Sequence, residues 1–289
     1  MRQNLIGYAF VAPNFAAMLL FAGVPILMSL PLAFAEWNLF SGWDGIRFIG
    51  LDNFRRMPGD IWFVESMRNT LAYTFFTVLG LLVGGFLLAN IINQGVYFRT
   101  TIRLMFFIPY ISSIAAVAVI WRILLSRSGP IAGSLQVLGM TEVPAFLANP
   151  NTALPSLIVM QIWKWIGYAM IIFLAGLQTI SRDLYESADI DGAGRIRKLF
   201  QITLPLISPT TFFIMITLII NSFRSFAQVQ IMTGGGPQRS TSVIVFYIYR
   251  AAFAQYEFGY ASAMALVLFA IIMLITLVQW KGQQKWVNY

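Results

Sequence analysis

Residues 69–92 read NTLAYTFFTVLGLLVGGFLLANII, a run without one charged side chain. About 20 such residues wound as a helix cross the hydrocarbon core of a bilayer. Five other runs can do the same, at Leu5–Phe34, Ile102–Leu125, Leu154–Gln178, Pro205–Ile231 and Phe258–Trp280. The whole composition agrees: of 289 residues 58% are hydrophobic and 10% charged, with a mean hydropathy of +0.75. A soluble domain has roughly 45–50% and about 25%. Water penalises that much exposed apolar surface and lipid does not. The fold class is therefore all-α, a polytopic membrane helix bundle of about six spans. The connections are too short for a further folded unit, so residues 1–289 are read as one transmembrane domain. The first run follows Met1-Arg2 and lacks a small-residue cleavage site, which marks it as a retained helix.

An even number of spans places both termini on one side. Of the 19 Lys and Arg, nine fall on that side in short segments and eight on the other in connections of about twice the total length. The denser side is the cytoplasmic one, so both termini are expected there. The remaining two cations, Lys164 and Arg224, fall within spans. The net charge of +8 is scattered between apolar runs rather than gathered in a stripe, which suits anionic membrane lipid and not nucleic acid.

Several chemistries are excluded. The chain has no histidine and no cysteine, which removes the usual zinc, haem and iron–sulfur ligand sets, disulfides and Cys/His nucleophiles. No Asp or Glu lies inside an apolar run, so the proton carriers of pumps and symporters are missing. No G-x-x-x-x-G-K-[ST] loop is present to cradle a nucleotide phosphate. No catalytic residue and no metal site is expected, and any ATP used in transport must be bound by another chain.

The segment between the fourth and fifth runs, residues 177–209, reads LQTISRDLYESADIDGAGRIRKLFQITLPLISP. Ser181 can cap a helix whose first turns carry Asp183 and Glu186, where carboxylates meet the positive end of the helix dipole. Gly192 and Gly194 can end it through left-handed backbone. A second stretch runs from Ile196 to Leu204, and Pro205 is placed where a proline opens a helix. The result is a short helix lying across the membrane surface. By physics alone it could simply pack on lipid.

The residues in order say more. Glu186, Ala188, Asp191-Gly192-Ala193, Phe200, Ile202, Leu204-Pro205 and Pro209 resemble the E-A-A loop of binding-protein-dependent ABC importer permeases, with Ser187 in place of the second family alanine. Arg103, Phe107, Pro109 and Trp121 are similar to the family's third-span pattern. Trp163, Gly167, Leu174-Ala175 and Leu177-Gln178 are similar to its fourth. Thr233-Gly234-Gly235-Gly236-Pro237 resembles the T-x-G-G-P turn of the sugar-importer subgroup, particularly its maltose-type first permease subunit. Phe226-Ala227 stands where the family often has Phe-Asp. The resemblance covers about residues 67–280.

It implies a half-pore in a bacterial or archaeal inner membrane. Such a permease pairs with a second, homologous permease on two ATPase subunits that bind ATP and Mg, while an external solute-binding protein delivers a carbohydrate. This chain would carry no cofactor. Its cytoplasmic helix would dock on an ATPase subunit and rock the bundle between inward-open and outward-open states. By this resemblance Glu186 contacts the ATPase, Ser187, Ala188, Gly192 and Ala193 permit close approach, and Asp191 holds the loop.

Two polar stripes remain. Asn221, Arg224 with Ser225, and Gln228 recur at helical spacing in the fifth run, and Gln161, Lys164 with Trp165, and Tyr168 do so in the fourth. Polar groups at depth avoid lipid and face the bundle interior. Amides, cations and aromatic rings suit the hydroxyls and apolar face of a sugar. The same groups could instead bond neighbouring helices, and Arg224 could reach the outer surface. Two rival functions stay open: uptake of glycerol-3-phosphate, for which Arg224 and Lys164 could serve the phosphate, and a scaffold without a pore.

Overall fold

The computed structural model describes residues 2–140 and 143–286. The first run is helical as Arg2–Met18 (α1) and Val24–Leu32 (α2), joined through a π turn at Leu19–Gly23. An antiparallel ribbon follows, in which Ala35–Glu36 (β1) pairs with Arg47–Phe48 (β2), and then a short helix, Asp52–Arg56 (α3). The charge-free run is part of Ile61–Asn93 (α4), 33 residues long or about 50 Å. It starts earlier than the apolar pattern alone suggests, so Glu65 lies in its early turns, paired with Arg239 at 2.6 Å.

The third run is not one straight span. It is Arg99–Ile111 (α5) and Ile114–Leu124 (α6), bent by 99°. The expectation of a continuous helix fails because Ser112 is extended and Ser113, with ψ 129°, is also out of helical backbone, and the Ser112 hydroxyl folds back on the Ile108 carbonyl at 2.9 Å. After Pro130–Val137 (α7), the fourth run is the unbroken helix Pro150–Gln178 (α8), capped by Asn149 accepting from the Asn151 amide at 2.9 Å.

The segment between the fourth and fifth runs contains Arg182–Ile190 (α9), Arg195–Lys198 (α10), a π turn at Leu199–Thr203, and Leu204–Leu206 (α11). The fifth run proper begins at Ser208, not at Pro205: Ser208–Phe223 (α12) is bent by 64° from the stretch before it. Pro209 has no N–H for the Pro205 carbonyl, and the Ser208 hydroxyl takes that place at 2.6 Å. This run also stops short of Ile231. Arg224 caps α12, Phe226 departs from helical backbone with φ −141°, and Ala227–Met232 (α13) starts anew. The connection after it holds Ile244–Phe253 (α14), too short to cross a bilayer, before the last span, Phe258–Trp286 (α15). Among the described residues four helices are long and apolar enough to span a membrane, and six if each bent pair is one span.

The chain divides into two compact units, Met1–Val64 with Tyr247–Ile271 and Glu65–Phe246 with Ile272–Tyr289. In the first, Ala33, Met57, Tyr247, Ala251, Tyr260 and Met264 form the core. Asn53 donates from Nδ2 to the Ala33 and Ala35 carbonyls at 3.0 Å each, satisfying backbone left over where α2 ends. The Asp60 carboxylate accepts from the hydroxyls of Tyr247 at 2.5 Å and Tyr260 at 2.7 Å. From Phe10 to Leu32 the helix buries nothing in this chain, which suits a lipid-facing surface.

In the second unit α8 lies at the centre, with Met170, Phe173, Leu174 and Leu177 packed among Leu81, Ala89, Ile214 and Leu218. Gly167 lets α5 come close, because a Cβ there would collide with the Phe106 carbonyl and the Phe107 backbone. Interfaces of small residues are how membrane helices gain contact, since lipid competes equally for apolar side chains.

Candidate functional site

The elbow between the fourth and fifth runs is built as its residue types require. Ser181 caps α9 by accepting from the Asp183 amide at 3.3 Å. At the other end Gly192 takes φ +72°, its amide donating to the Asp189 carbonyl while that of Ala193 donates to Ala188. These two bonds close the helix in a Schellman motif. The return stretch is then fastened to α9 by Lys198 on Asp189 at 2.6 Å and by the hydroxyls of Tyr185 and Thr203 at 2.9 Å. A concavity of about 330 Å³ is lined by Ser187, Ala188, Asp191 and Ala193 with Arg197 and Gln201. Glu186, Ser187, Asp191 and Gly192 are exposed, and Ala188 and Ala193 are half-buried. Ile190, Ile196 and Phe200 stand beside them with 88%, 74% and 63% of their surface free, more apolar exposure than a water-facing elbow would keep.

Deeper in the same unit is a cavity of about 390 Å³. Six of the seven residues expected on a substrate path line it: Asn221, Arg224, Ser225 and Gln228 from the α12–α13 break, and Lys164 and Trp165 from α8. Tyr168 lies beyond this lining, stacked on Tyr110 at 5.0 Å and edge-on to Trp165 at 5.8 Å. The fifth-run residues converge for a different reason than their spacing suggests. They do not share one helix stripe, because the helix ends at Phe223; the broken backbone wraps their side chains around the cavity.

Much of this polarity is already engaged. Asn221 Nδ2 donates to the Thr217 carbonyl of its own helix at 2.7 Å, and Gln228 Nε2 to the Tyr73 hydroxyl at 3.0 Å. Lys164 Nζ donates to the carbonyls of Pro109, Tyr110 and Ser112 at 2.9, 3.0 and 2.6 Å. Gln161 is buried in the cavity wall and its Oε1 has no hydrogen-bond partner among the described residues, while Arg224 is exposed. Tyr73, which holds the Gln228 carboxamide, was missed by the sequence reading. Its signal was present in the charge-free run, where Thr70, Tyr73, Thr74 and Thr77 recur at helical spacing and are all buried.

The Thr233–Pro237 turn is tied to the segment after it, and that segment is clamped to α4. Thr241 Oγ1 donates to the Gly236 carbonyl at 2.7 Å, Asn69 Nδ2 to the Arg239 and Ser242 carbonyls, and the Ile244 amide to Thr70 Oγ1 at 2.8 Å. Gly234 and Gly235 both need positive φ here.

Residues 77–280 match the family described as binding-protein-dependent transport system inner membrane component. The chain belongs to this family. It is 36% identical to the probable ABC transporter permease protein YesP of Bacillus subtilis, over 100% of this chain and 93% of that one. To the sn-glycerol-3-phosphate transport system permease protein UgpA of Escherichia coli O157:H7 it is 33% identical, over 100% and 97%. Its fold superimposes with a TM-score of 0.85 on a chain of a bacterial ABC transporter that imports the acidic polysaccharide alginate, at 27% identity and covering 99% and 98%. The protein is thus a membrane-spanning permease of the inner membrane, with no catalytic activity of its own; ATP hydrolysis belongs to a separate subunit. Among the described residues no group of three or more His, Cys, Asp or Glu could hold a metal.

Proposed function

We propose that this permease forms part of the path by which an ABC importer moves a sugar of the di- or oligosaccharide class across the inner membrane of a bacterium or archaeon. The observation that carries the substrate class is the cavity beside α8. Its exposed Arg224 can donate to a hydroxyl, and the Trp165 indole offers a face for the apolar side of a sugar ring. Asn221, Ser225, Gln228 and Tyr168 complete the path in this reading, and Lys164 supports its wall. The volume, about 390 Å³, falls in the usual range for small-molecule sites.

In the same reading 1–289 works as one transmembrane domain with both termini cytoplasmic. It pairs with a second permease on two ATPase subunits that bind ATP and Mg, and an external solute-binding protein delivers the sugar. The exposed Glu186 and the apolar Ile190, Ile196 and Phe200 support docking of α9 on an ATPase subunit. A phosphate ester is the second reading, favoured by Arg224 and by the likeness to UgpA.

Arg224→Gln separates the two. A phosphate would lose a charge-assisted contact, whereas a neutral sugar keeps much of its hydrogen bonding. Uptake of a neutral disaccharide and of glycerol-3-phosphate is measured in the reconstituted complex, with and without the substitution. Sugar uptake that survives it, with none of the ester, supports the first reading; uptake of the ester alone, abolished by the substitution, overturns it.

A further inference from the structure

Lys164 is a cation within a membrane span, 5% exposed, and each of its three donors is matched to a backbone carbonyl. Those carbonyls belong to one place, the end of α5 where the chain turns by 99° into α6. A helix that stops inside a bilayer leaves carbonyls without partners, and lipid offers none. Here Ser112 Oγ takes the Ile108 carbonyl, and Lys164 takes those of Pro109, Tyr110 and Ser112. A cation at a helix C-terminus is also favoured by the helix dipole.

The position of Lys164 on α8 gives this contact a consequence. Downstream, α8 runs to Gln178 and α9 begins four residues later, so Lys164 sits about 20 Å up an unbroken helical rod from the α9 elbow. On the other side of the contact, α6 opens with Ile114, which lines the cavity together with Gln161 and Trp165. One ammonium therefore joins the rod to the lip of the cavity.

We infer that Lys164 is a positioning residue for transport, the fastener that makes the α5–α6 elbow travel with α8 when α9 is moved, and not a ligand of the substrate. The driven motion rests on the docking of α9 proposed above; the fastening does not. Removing the ammonium loosens the α6 end of the elbow, while α5 stays packed against Gly167. The lip at Ile114 then lags behind the drive, and turnover falls while the groups that meet the substrate stay in place.

The chain has no cysteine, so labels can be placed without background. Ser113 and Val159, both exposed, are replaced by cysteine and spin-labelled in the complete reconstituted complex. With Lys164 intact the inter-label distance is narrow and the same without nucleotide and after trapping with ATP and vanadate. In Lys164→Met it broadens in both states. The maximal uptake rate falls roughly tenfold with an unchanged half-saturation concentration, and Lys164→Arg recovers part of the rate. A distance that changes between states with Lys164 intact overturns the inference, whether or not Lys164→Met assembles. So does a shifted half-saturation with an unbroadened distance, or a parental rate in Lys164→Met. If docking of α9 is what fails, the nucleotide-free broadening in Lys164→Met persists while Glu186→Lys transports normally.

Discussion

Gln228 donates a 3.0 Å hydrogen bond to the hydroxyl of Tyr73, joining the wall of the cavity to the middle of α4 with both side chains buried. Gln228→Leu strands that hydroxyl and Tyr73→Phe strands the carboxamide, each at a cost of about 1–3 kcal/mol. Replacing both removes the pair together and costs less than the sum. Thermal unfolding of the four proteins in detergent measures this coupling. Uptake by the double variant is expected to stay slow although its stability recovers, because the cavity that Gln228 lines is the proposed path; recovery of uptake with stability would return Gln228 to packing alone.

Gly167→Ala places a methyl group against the Phe106 carbonyl, and backbone cannot turn aside as a side chain can. Overpacking of this kind costs about 1–3 kcal/mol. The melting temperature of the purified chain should fall. Gly133→Ala, where the new methyl group meets nothing within 4 Å, serves as the control and should hold or gain stability.

At Gly192 there is open space around the added side chain, so the strain comes from φ +72° alone. Gly192→Val should disturb the turn after α9 by about 1–2 kcal/mol. Gly192→Asn should do so less, because asparagine visits this conformation. With Glu186→Lys, Gly192→Val is expected to lower co-purification of the ATPase or to let hydrolysis run without uptake. Parental uptake by both variants in a fully assembled complex would contradict docking through this elbow.

Asp60 supplies a pH dependence. Burial pushes its carboxyl up, but hydrogen bonds from the Tyr247 and Tyr260 hydroxyls and from the Trp62 and Phe63 amides outweigh this and hold it below the usual 3.8. A lowered carboxylate contributes stability that is full above its ordinary value and is lost as pH falls through the lowered one. The parent should therefore keep this contribution from neutral pH down to about 4 and lose it only below. Asp60→Asn should melt lower at neutral pH, and the gap between the two proteins should close in acid. A gap of constant size from pH 7 to pH 3 would show that titration of Asp60 has no part in it.

The membrane class, the number of apolar runs and the boundaries of α9 were legible in the residues themselves, because each depends on local properties. A run such as 69–92 has nowhere to go but lipid. Ser181 and Gly192 end a helix by conformations that they adopt on their own. The breaks at Ser112–Ser113 and at Arg224–Phe226 were not legible, and neither was the division of labour among the polar residues. Hydropathy continues through the first break, the polar residues at the second read as one helix stripe, and Lys164 and Gln228 read as two more positions on such stripes. What the tertiary structure decided is which partner each received. A helix can stop inside a bilayer only where some other segment supplies the missing hydrogen bonds. For α5 that donor is Lys164, more than fifty residues away along the chain and adjacent only after α5 has packed against Gly167 of α8.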